Sequence, residues 1–218
     1  EKNGKKLQLM RTEGEWKVET GNNKYAKATS SSVRSTINEL LGLKPSRVVA
    51  RSKDKWKEYQ VDSAGTRVAV FEEDKKALDI ILGRFGFRSQ QEYSTYVRLA
   101  DENEVYAVDN FMGMSFNTDA SRYRNAQVAR INKDSVSTVA FNYPDSSFTL
   151  TRDSLSWQVN GQKADSAATV RFLNSLAHLN GGDFYDDDPP SGSASLVVTI
   201  ENQNKENLKI NAWKMQEN

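Results

Sequence analysis

The side chains that most often perform hydrolytic chemistry are sparse in this sequence. His178 is the only histidine, so a Ser-His-Asp arrangement would have to include it. It follows an apolar periodic segment and is predicted near the end of a helix, where a cation interacts favourably with the helix dipole. Ser52 and Lys55 match the Ser-x-x-Lys nucleophile pattern, but the companion Ser-Asp-Asn and Lys-Thr-Gly motifs are missing from the sequence. We therefore predict a structural or surface role for His178, no catalytic residues, and a protein that is not an enzyme.

The sequence also offers little to a metal ion or a cofactor. It contains no cysteine, which excludes disulfides and Cys-ligated zinc. Asp183, Asp186, Asp187 and Asp188 could supply oxygen ligands to calcium, but they lack the spacing and the closing Glu of a calcium-binding loop. The glycine-rich phosphate-binding motifs are missing as well, and Gly83–Phe87 is predicted to form a turn after a strand. We expect no metal, no cofactor, and a solvated loop at the aspartates.

Several large aromatic side chains could contact a partner. Trp16 and Trp157 could stack on a sugar, but they occupy equivalent positions in two similar segments, which favours a role in the core. Trp56, Trp213 and Tyr93 lie outside that equivalence. These three residues are therefore the better candidates for exposed contacts.

Charge is distributed unevenly along the chain. The net charge is +1, yet residues 1–60 contain 14 basic and 7 acidic residues, a balance of +7, and the remainder contains 16 basic and 22 acidic residues, a balance of −6. The basic residues of the first part are scattered between turns, so we expect no nucleic-acid binding. Arg122 and Arg124 are expected to form local salt bridges, with an anion or a partner's carboxylate as the alternative ligand.

Three segments of the first half recur in the second half without gaps. Each matched pair shares either an alternating strand pattern or an apolar helical stripe. The pairs are Leu7–Val18 with Phe148–Val159 at a shift of 141 residues, Ala28–Leu43 with Ala164–Leu179 at 136, and Arg67–Ile80 with Val197–Ile210 at 130. This self-similarity predicts an internal repeat.

Each copy is predicted to contain the same order of elements. A strand pair that ends in the tryptophan strand is followed by a helix with one apolar stripe. In the second copy, Asn180–Gly182 is predicted to end the helix. A further strand, near Val48–Val49 in the first copy and Phe184–Tyr185 in the second, leads to another hairpin.

The second copy has one additional strand at its start, Val136–Tyr143. At a shift of 141 residues, its partner in the first copy would lie before Glu1. Since the first residue is also not Met, we expect a mature or truncated form whose N-terminal segment has been removed. No stretch of the sequence approaches 18 apolar residues, so it contains no predicted transmembrane helix.

The predicted fold class is α+β. It consists of two repeated β-β-α-β-β-like units, in which antiparallel sheets are each covered by one helix. Residues 1–130 contain the first unit and a connecting hairpin, whose strands are Ser94–Leu99 and Glu104–Asp109. Residues 131–218 contain the second unit.

The order of these features resembles a bacterial family described as domain of unknown function 4340. The resemblance covers nearly the whole chain, and its motifs are short. They are Trp16-x-Val18 and Trp157-x-Val159, the helix starts Ala28–Ser30 and Ala164–Ser166, the hairpin residues Tyr96, Arg98 and Glu104–Asp109, and the stretch Arg122–Asn125. The resemblance implies a protein on the extracytoplasmic side of the bacterial envelope, attached through an N-terminal segment and often encoded beside ABC transporter components. It implies no catalytic residues.

Three functions are compatible with these observations. The first is a non-catalytic envelope-side interaction module, which binds protein partners and is accessory to an ABC-type transport system. The second is a small-molecule or glycan-binding domain with its site between the repeats. The third is a hydrolase with paired carboxylates, which needs no histidine. The sparse catalytic residue types favour the first function, and its link to a transporter comes from the resemblance alone.

Overall fold

The fold is built mainly from antiparallel strands with few helices and belongs to the α+β class. The computed structural model describes residues 1–87, 92–154, 156–186, 191–202 and 205–214. The chain divides into two compact units, residues 1–125 and 126–218. None of the helices in the described part of the chain is long and apolar enough to cross a lipid bilayer.

The first unit begins with a three-stranded antiparallel sheet and a helix. Glu13 and Gly14 both have positive φ values, 53° and 82°, as a two-residue hairpin turn requires. Val33 of the helix is fully buried against Val18 of the sheet. The elements are β1 (Leu9–Thr12), β2 (Glu15–Gly21), β3 (Lys24–Lys27) and α1 (Ser30–Leu41), and the strand order is β1-β2-β3.

A five-stranded antiparallel sheet completes the first unit. The predicted hairpin is confirmed, because β7 pairs with β8 from Ser94 opposite Asp109 to Val97 opposite Tyr106. The predicted turn at Gly83–Phe87 is wrong, since these residues continue a 13-residue strand. The elements are β4 (Pro45–Ala50), α2 (Trp56–Tyr59), β5 (Thr66–Glu72), β6 (Lys75–Phe87), β7 (Tyr93–Leu99) and β8 (Val105–Asp109), in the strand order β4-β8-β7-β6-β5.

The second unit contains a six-stranded antiparallel sheet and a two-stranded one. The sheet orders are β13-β12-β11-β10-β15-β16 and β14-β9. The elements are β9 (Gln127–Arg130), β10 (Val136–Asn142), β11 (Ser147–Arg152), β12 (Trp157–Val159), β13 (Gln162–Lys163), α3 (Ser166–Ala177), β14 (His178–Asn180), β15 (Leu196–Asn202) and β16 (Lys205–Ala212).

Two predictions for the second unit are wrong. The helix ends at Ala177 rather than at Asn180–Gly182, because His178–Asn180 forms β14 and pairs with β9. The strand expected at Phe184–Tyr185 is not formed, and these residues have no regular secondary structure. Pairing with β9, which lies about 50 residues earlier in the chain, therefore decides where this helix stops.

Backbone register recurs at the shifts seen in the sequence, although the sheets differ. In the first unit the matched hairpins belong to two separate sheets, whereas in the second unit they belong to one. The helices α1 and α3 cover the same positions at a shift of 136 residues. The matched pairs are Leu9–Val18 with Leu150–Val159, Arg11–Trp16 with Arg152–Trp157, Val68–Ile80 with Val198–Ile210, and Val70–Leu78 with Ile200–Leu208.

A bidentate ion pair links β5 to β6. Arg67 Nε and Nη2 donate to the two carboxylate oxygens of Asp79 at 2.8 and 2.6 Å, and Lys76 Nζ donates at 2.8 Å. The Asp79 side chain is only 12% exposed. The hydrogen bond from Arg67 holds the pKa of Asp79 well below its usual range.

We expect Asp79→Asn to lower the free energy of unfolding by about 1–2 kcal/mol at pH 7. A carboxylate with a depressed folded-state pKa stabilises the fold above its unfolded pKa, about 3.9, and this contribution is lost as the pH falls further. The difference between wild type and variant should therefore stay constant above about pH 5 and narrow below about pH 4 in urea titrations. Asp74→Asn, in the exposed turn of the same hairpin, is the control. A difference for Asp79→Asn that does not change with pH would contradict the assignment.

Candidate functional site

Trp56, predicted to make an exposed contact, is held against the five-stranded sheet. Its indole N–H donates to the carbonyl of Asn103 at 3.0 Å. The Arg98 guanidinium lies 3.6 Å from the centroid of its ring, which is a close cation–π contact. Trp56 also packs against a buried cluster that includes Val61. These contacts give Trp56 a structural role.

Arg98 is the anchor of this arrangement and is only 4% exposed. Its Nη1 donates to the carbonyls of Leu99, Ala100 and Glu102 at 2.9, 2.9 and 3.0 Å, and its Nε donates to the carbonyl of Val61 at 3.1 Å. Burial lowers the pKa of the guanidinium from its ordinary value. Because these donors are used by main-chain carbonyls, Arg98 fixes the β7–β8 turn and the segment after α2.

The same face of the sheet carries a second cation–π group. The Arg84 guanidinium lies 5.0 Å from the ring of Tyr96 and 5.8 Å from that of Tyr59, and the two rings are 4.6 Å apart. Arg84 Nε also donates to the carbonyl of Glu58 at 2.9 Å. Side chains near α2 therefore cover this face of the sheet.

The other face carries three aromatic side chains, which we call the aromatic patch: the exposed Phe85 and Phe87 and the half-buried Tyr93. Phe87 is 68% exposed and Phe85 is 40% exposed. The ring of Phe87 contacts those of Phe85 and Tyr93, with centroid distances of 5.2 and 6.5 Å. Phe87 pairs with Tyr93 in the register, and Phe85 pairs with the buried Thr95. The patch thus lies on the face of β6 and β7 that also bears the buried Thr95.

Two methionines lie in the irregular segment after β8. The hydroxyl of Thr95 donates to the carbonyl of Phe111, which places the start of this segment on the face that bears the aromatic patch. Met112 and Met114 are exposed, and flexible thioether side chains suit adaptable contacts. Both methionines therefore lie in a segment whose start contacts this face.

Of these aromatic side chains, only Tyr93 was expected from the sequence to contact a partner. Phe85 and Phe87 were missed because Gly83–Phe87 was interpreted as a turn. The available signal was the Phe-Gly-Phe alternation, which places both rings on one face of a strand.

Gly83 explains how the strand can continue at this point. A Cβ on residue 83 would lie 2.7 Å from Val61 Cγ1, so a residue with a side chain would clash with the segment after α2. The glycine allows the segment after α2 to lie against β6.

His178 lies beside a small polar depression with a volume of about 150 Å³. It is the register partner of Arg130 across β14 and β9, and the depression is also lined by Gln127, Ala129 and Asn180. None of these five residues has a carboxylate that could orient the imidazole. The arrangement lacks the third group that a histidine base normally uses.

Ser52 and Lys55 do not form a nucleophile and its base. Lys55 Nζ lies 3.2 Å from a carboxylate oxygen of Glu58, and that hydrogen bond raises the pKa of Lys55. A lysine that acts as a general base needs the opposite shift. The hydroxyl of Ser52 is instead hydrogen bonded to Asp54, which lowers the pKa of that carboxyl group.

The stretch Arg122–Asn125 closes the first unit around its helix. Tyr123 is buried, its carbonyl accepts from the Thr29 N–H at 2.7 Å, and its hydroxyl lies 3.3 Å from the Thr36 hydroxyl. The carbonyl of Arg124 accepts from the Thr29 hydroxyl at 3.3 Å, and Arg122 is exposed. This motif therefore contributes structural contacts at the start of α1.

The other candidates are distributed over both units. Trp16 packs in a core of the first unit and Trp157 in that of the second, and the indole of Trp213 donates to the carbonyl of Gly192 at 3.4 Å. Asp183 and Asp186 are exposed, while Asp187 and Asp188 lie outside the described residues. Within the ranges that the structure describes, no group of three or more acidic or histidine side chains is placed to hold a metal ion.

Comparison with known proteins identifies the family of the chain. Neither the curated proteins nor the solved structures show a significant match. One family model, described as a domain of unknown function (DUF4340), matches residues 7–195. These residues include the Trp-x-Val strands, the β7–β8 hairpin and the Tyr123 motif described above. Because the match covers most of the sequence, the chain belongs to this family of domains of unknown function.

Proposed function

We propose that the protein is a non-catalytic interaction module that binds a protein partner through the aromatic patch. The observation that carries this proposal is the exposure of Phe87 and Phe85 beside Tyr93 at one end of β6 and β7. Exposed aromatic groups of this kind mark surfaces where partners dock. Aromatic residues also dominate the binding energy of many protein interfaces.

The energetics of the patch favour a binding role. Complete burial of one phenylalanine side chain contributes about 1.5–3 kcal/mol, and about 1.4 kcal/mol changes an equilibrium constant tenfold. Phe87, at 68% exposed, has most of its surface available to a partner. The neighbouring rings hold Phe87 through edge contacts, so little side-chain entropy remains to be lost on binding.

The family resemblance supports a proposal for the cellular place of the module. On that basis we place it on the extracytoplasmic side of the bacterial envelope, accessory to an ABC-type transport system whose subunits are its partners. The sequence motifs that carry the resemblance are structural. They therefore support the cellular location that we propose, but they do not indicate which residues bind the partner. The aromatic patch supplies that choice.

We also infer that the two units are copies of one β-β-α-β-β-like pattern. The matched registers and the equal bounds of α1 and α3 support this inference. At a shift of 130 residues, β16 corresponds to Lys75–Leu82 of β6. At the same shift Phe85 and Phe87 correspond to Met215 and Glu217 in the sequence, so their aromatic side chains are not part of the repeated sequence pattern. A group of side chains that occurs in only one copy favours a specific function of that copy over a structural role that both copies share.

We expect Phe87→Ala to reduce partner capture at least about tenfold, with the fold unchanged. Phe71→Ala is a matched control, because Phe71 is also exposed, at 57%, but pairs with Lys76 at the opposite end of β6. The measurement is quantitative mass spectrometry of proteins retained by the anchored protein from detergent-solubilised bacterial envelope. ABC transporter subunits should be recovered with wild type and with Phe71→Ala, and not with Phe87→Ala.

Two outcomes would contradict this proposal in different ways. Recovery of transporter subunits by all three proteins in equal amounts would exclude the aromatic patch as the binding surface. Retention of an unrelated envelope protein that depends on Phe87 would keep the patch and exclude the transport system. Circular dichroism and thermal unfolding of each variant establish that the fold is intact before these results are compared.

A further inference from the structure

We infer that the first unit contains a strand-binding site between the outer edges of β1 and β5. The site takes one extended strand that pairs antiparallel with both edges and leads directly into Glu1. β1 is an edge of the three-stranded sheet and β5 is an edge of the five-stranded sheet. A strand in this position would join the two sheets into one. This inference is independent of the aromatic patch.

The first residues of the chain already have the backbone pairing of such a strand. The Arg67 N–H donates to the Glu1 carbonyl at 2.9 Å, and the Glu1 amino group donates to the Arg67 carbonyl at 2.7 Å. This two-way exchange is the pattern of a hydrogen-bonded antiparallel pair. Lys2 and Lys5 exchange backbone hydrogen bonds of 2.9 Å in both directions, so a tight turn connects Glu1 to the segment that leads into β1.

The same backbone pattern occurs in the second unit with the strand present. There β10 lies between β11 and β15, and its last residue, Asn142, pairs with Val197 of β15. The Tyr143 N–H then donates to the Ser146 carbonyl at 2.8 Å. The corresponding positions are Glu1 with Asn142, Lys2 and Lys5 with Tyr143 and Ser146 at a shift of 141 residues, and Arg67 with Val197 at a shift of 130. Glu1 thus occupies the place of the final residue of β10.

The buried clusters of the two units differ in the way expected if β10 has no equivalent strand between β1 and β5. In the second unit, Val139 of β10 is 0% exposed and packs with the buried Leu150 and Ile200 in one cluster. The equivalent residues of the first unit, Leu9 and Val70, are only half-buried and belong to two separate clusters. A single strand with apolar side chains on the core face would cover both residues and connect the two clusters.

The pattern of β10 defines the chemistry of the occupant. Val139 and Phe141 point to the core face, because alternate residues of a strand share a face. Arg67 N–H faces the site, so strand alternation also directs the Ala69 N–H toward it. The Glu19 N–H donates to the Gln8 carbonyl on the β2 side, which directs the Leu9 N–H to the open side of β1. The site therefore offers two rows of backbone groups to one apolar, alternating strand.

The test is to join the β10 sequence Val-Ser-Thr-Val-Ala-Phe directly to Glu1 of the 218-residue chain. We expect the midpoint of thermal unfolding to rise by about 5–10 °C. The backbone amides of Leu9 and Ala69 should exchange with solvent at least about tenfold more slowly. The matched control carries one extra Gly between this Phe and Glu1. This insertion shifts the strand by one residue and turns its apolar side chains to the other face.

Each outcome decides the proposal. Stabilisation and amide protection with the direct fusion, and neither with the glycine control, support the strand-binding site. The proposal is overturned if the direct fusion leaves the melting midpoint and both amides unchanged, or if the glycine control is stabilised equally. Sedimentation analysis provides a third readout: a dimer formed only by the fused chain would show that the strand pairs two copies rather than entering the site of its own chain.

Discussion

Arg98→Met is expected to lower the free energy of unfolding by about 3–5 kcal/mol, because several hydrogen bonds from one buried charged group are lost together. The guanidinium donates to four main-chain carbonyls, and methionine would leave each of them, including that of the buried Val61, without this donor. Trp56 would also lose the cation that lies 3.6 Å from its ring. Urea unfolding followed by circular dichroism and by tryptophan fluorescence measures the change.

Two further variants separate the effect of the planar donor geometry of Arg98 from the effect of its charge. Arg98→Lys keeps the charge, but the ammonium group cannot reach the same set of carbonyls, so we expect it to recover less than half of the loss. The control is Arg122→Met, which removes an exposed arginine. It should change the free energy of unfolding by less than about 0.5 kcal/mol. Equal stability of Arg98→Met and Arg122→Met would show that the hydrogen bonds of Arg98 do not hold the turn.

Gly83→Ala is expected to destabilise the protein by about 2–4 kcal/mol, because the added Cβ has no space. It would overlap the carbonyl oxygen of Tyr59 and lie 2.7 Å from Val61 Cγ1. Since the obstacle includes main chain, the segment after α2 must move away from β6. That movement should expose Trp56 and shift its fluorescence to longer wavelength.

Gly86→Ala is the matched control in the same strand. A Cβ at this position would have one neighbour, the flexible end of Arg84, at 3.5 Å. We expect the stability to change by less than about 0.5 kcal/mol, since alanine also reduces the entropy of the unfolded chain. Similar losses for both variants would indicate a general intolerance of β6 to substitution, and the close approach at Gly83 would then have no special role.

Local patterns in the sequence predicted much of the secondary structure. The alternation of Leu7 and Leu9 before Trp16, and the stripe that contains Val33 and Leu40, are set by residues close in the chain. The β7–β8 hairpin followed from the same kind of pattern. Such elements can be predicted because the side-chain periods of strands and helices are fixed by backbone geometry.

Long-range contacts account for the features that were not predicted. β14 forms because β9 provides a partner, and no signal near His178 indicates that pairing. The extension of β6 depends on the segment after α2, which lies against Gly83. Arg98 could be recognised as part of a motif, but its four carbonyl partners are set by the tertiary fold. Phe85 and Phe87 of the aromatic patch were missed because the end of β6 was predicted to be a turn.

The contacts of Tyr123 also determine when the first unit can form during synthesis on the ribosome. The Tyr123 hydroxyl lies beside the hydroxyl of Thr36, 87 residues earlier in the chain, and the Tyr123 carbonyl accepts from the N–H of Thr29 at the start of α1. At about 5–20 residues per second, roughly 4–17 s separate the appearance of these partners. For that interval α1 and its three-stranded sheet lack a buried residue of their core, so we expect them to become resistant to proteases only after the strands of the five-stranded sheet have been made.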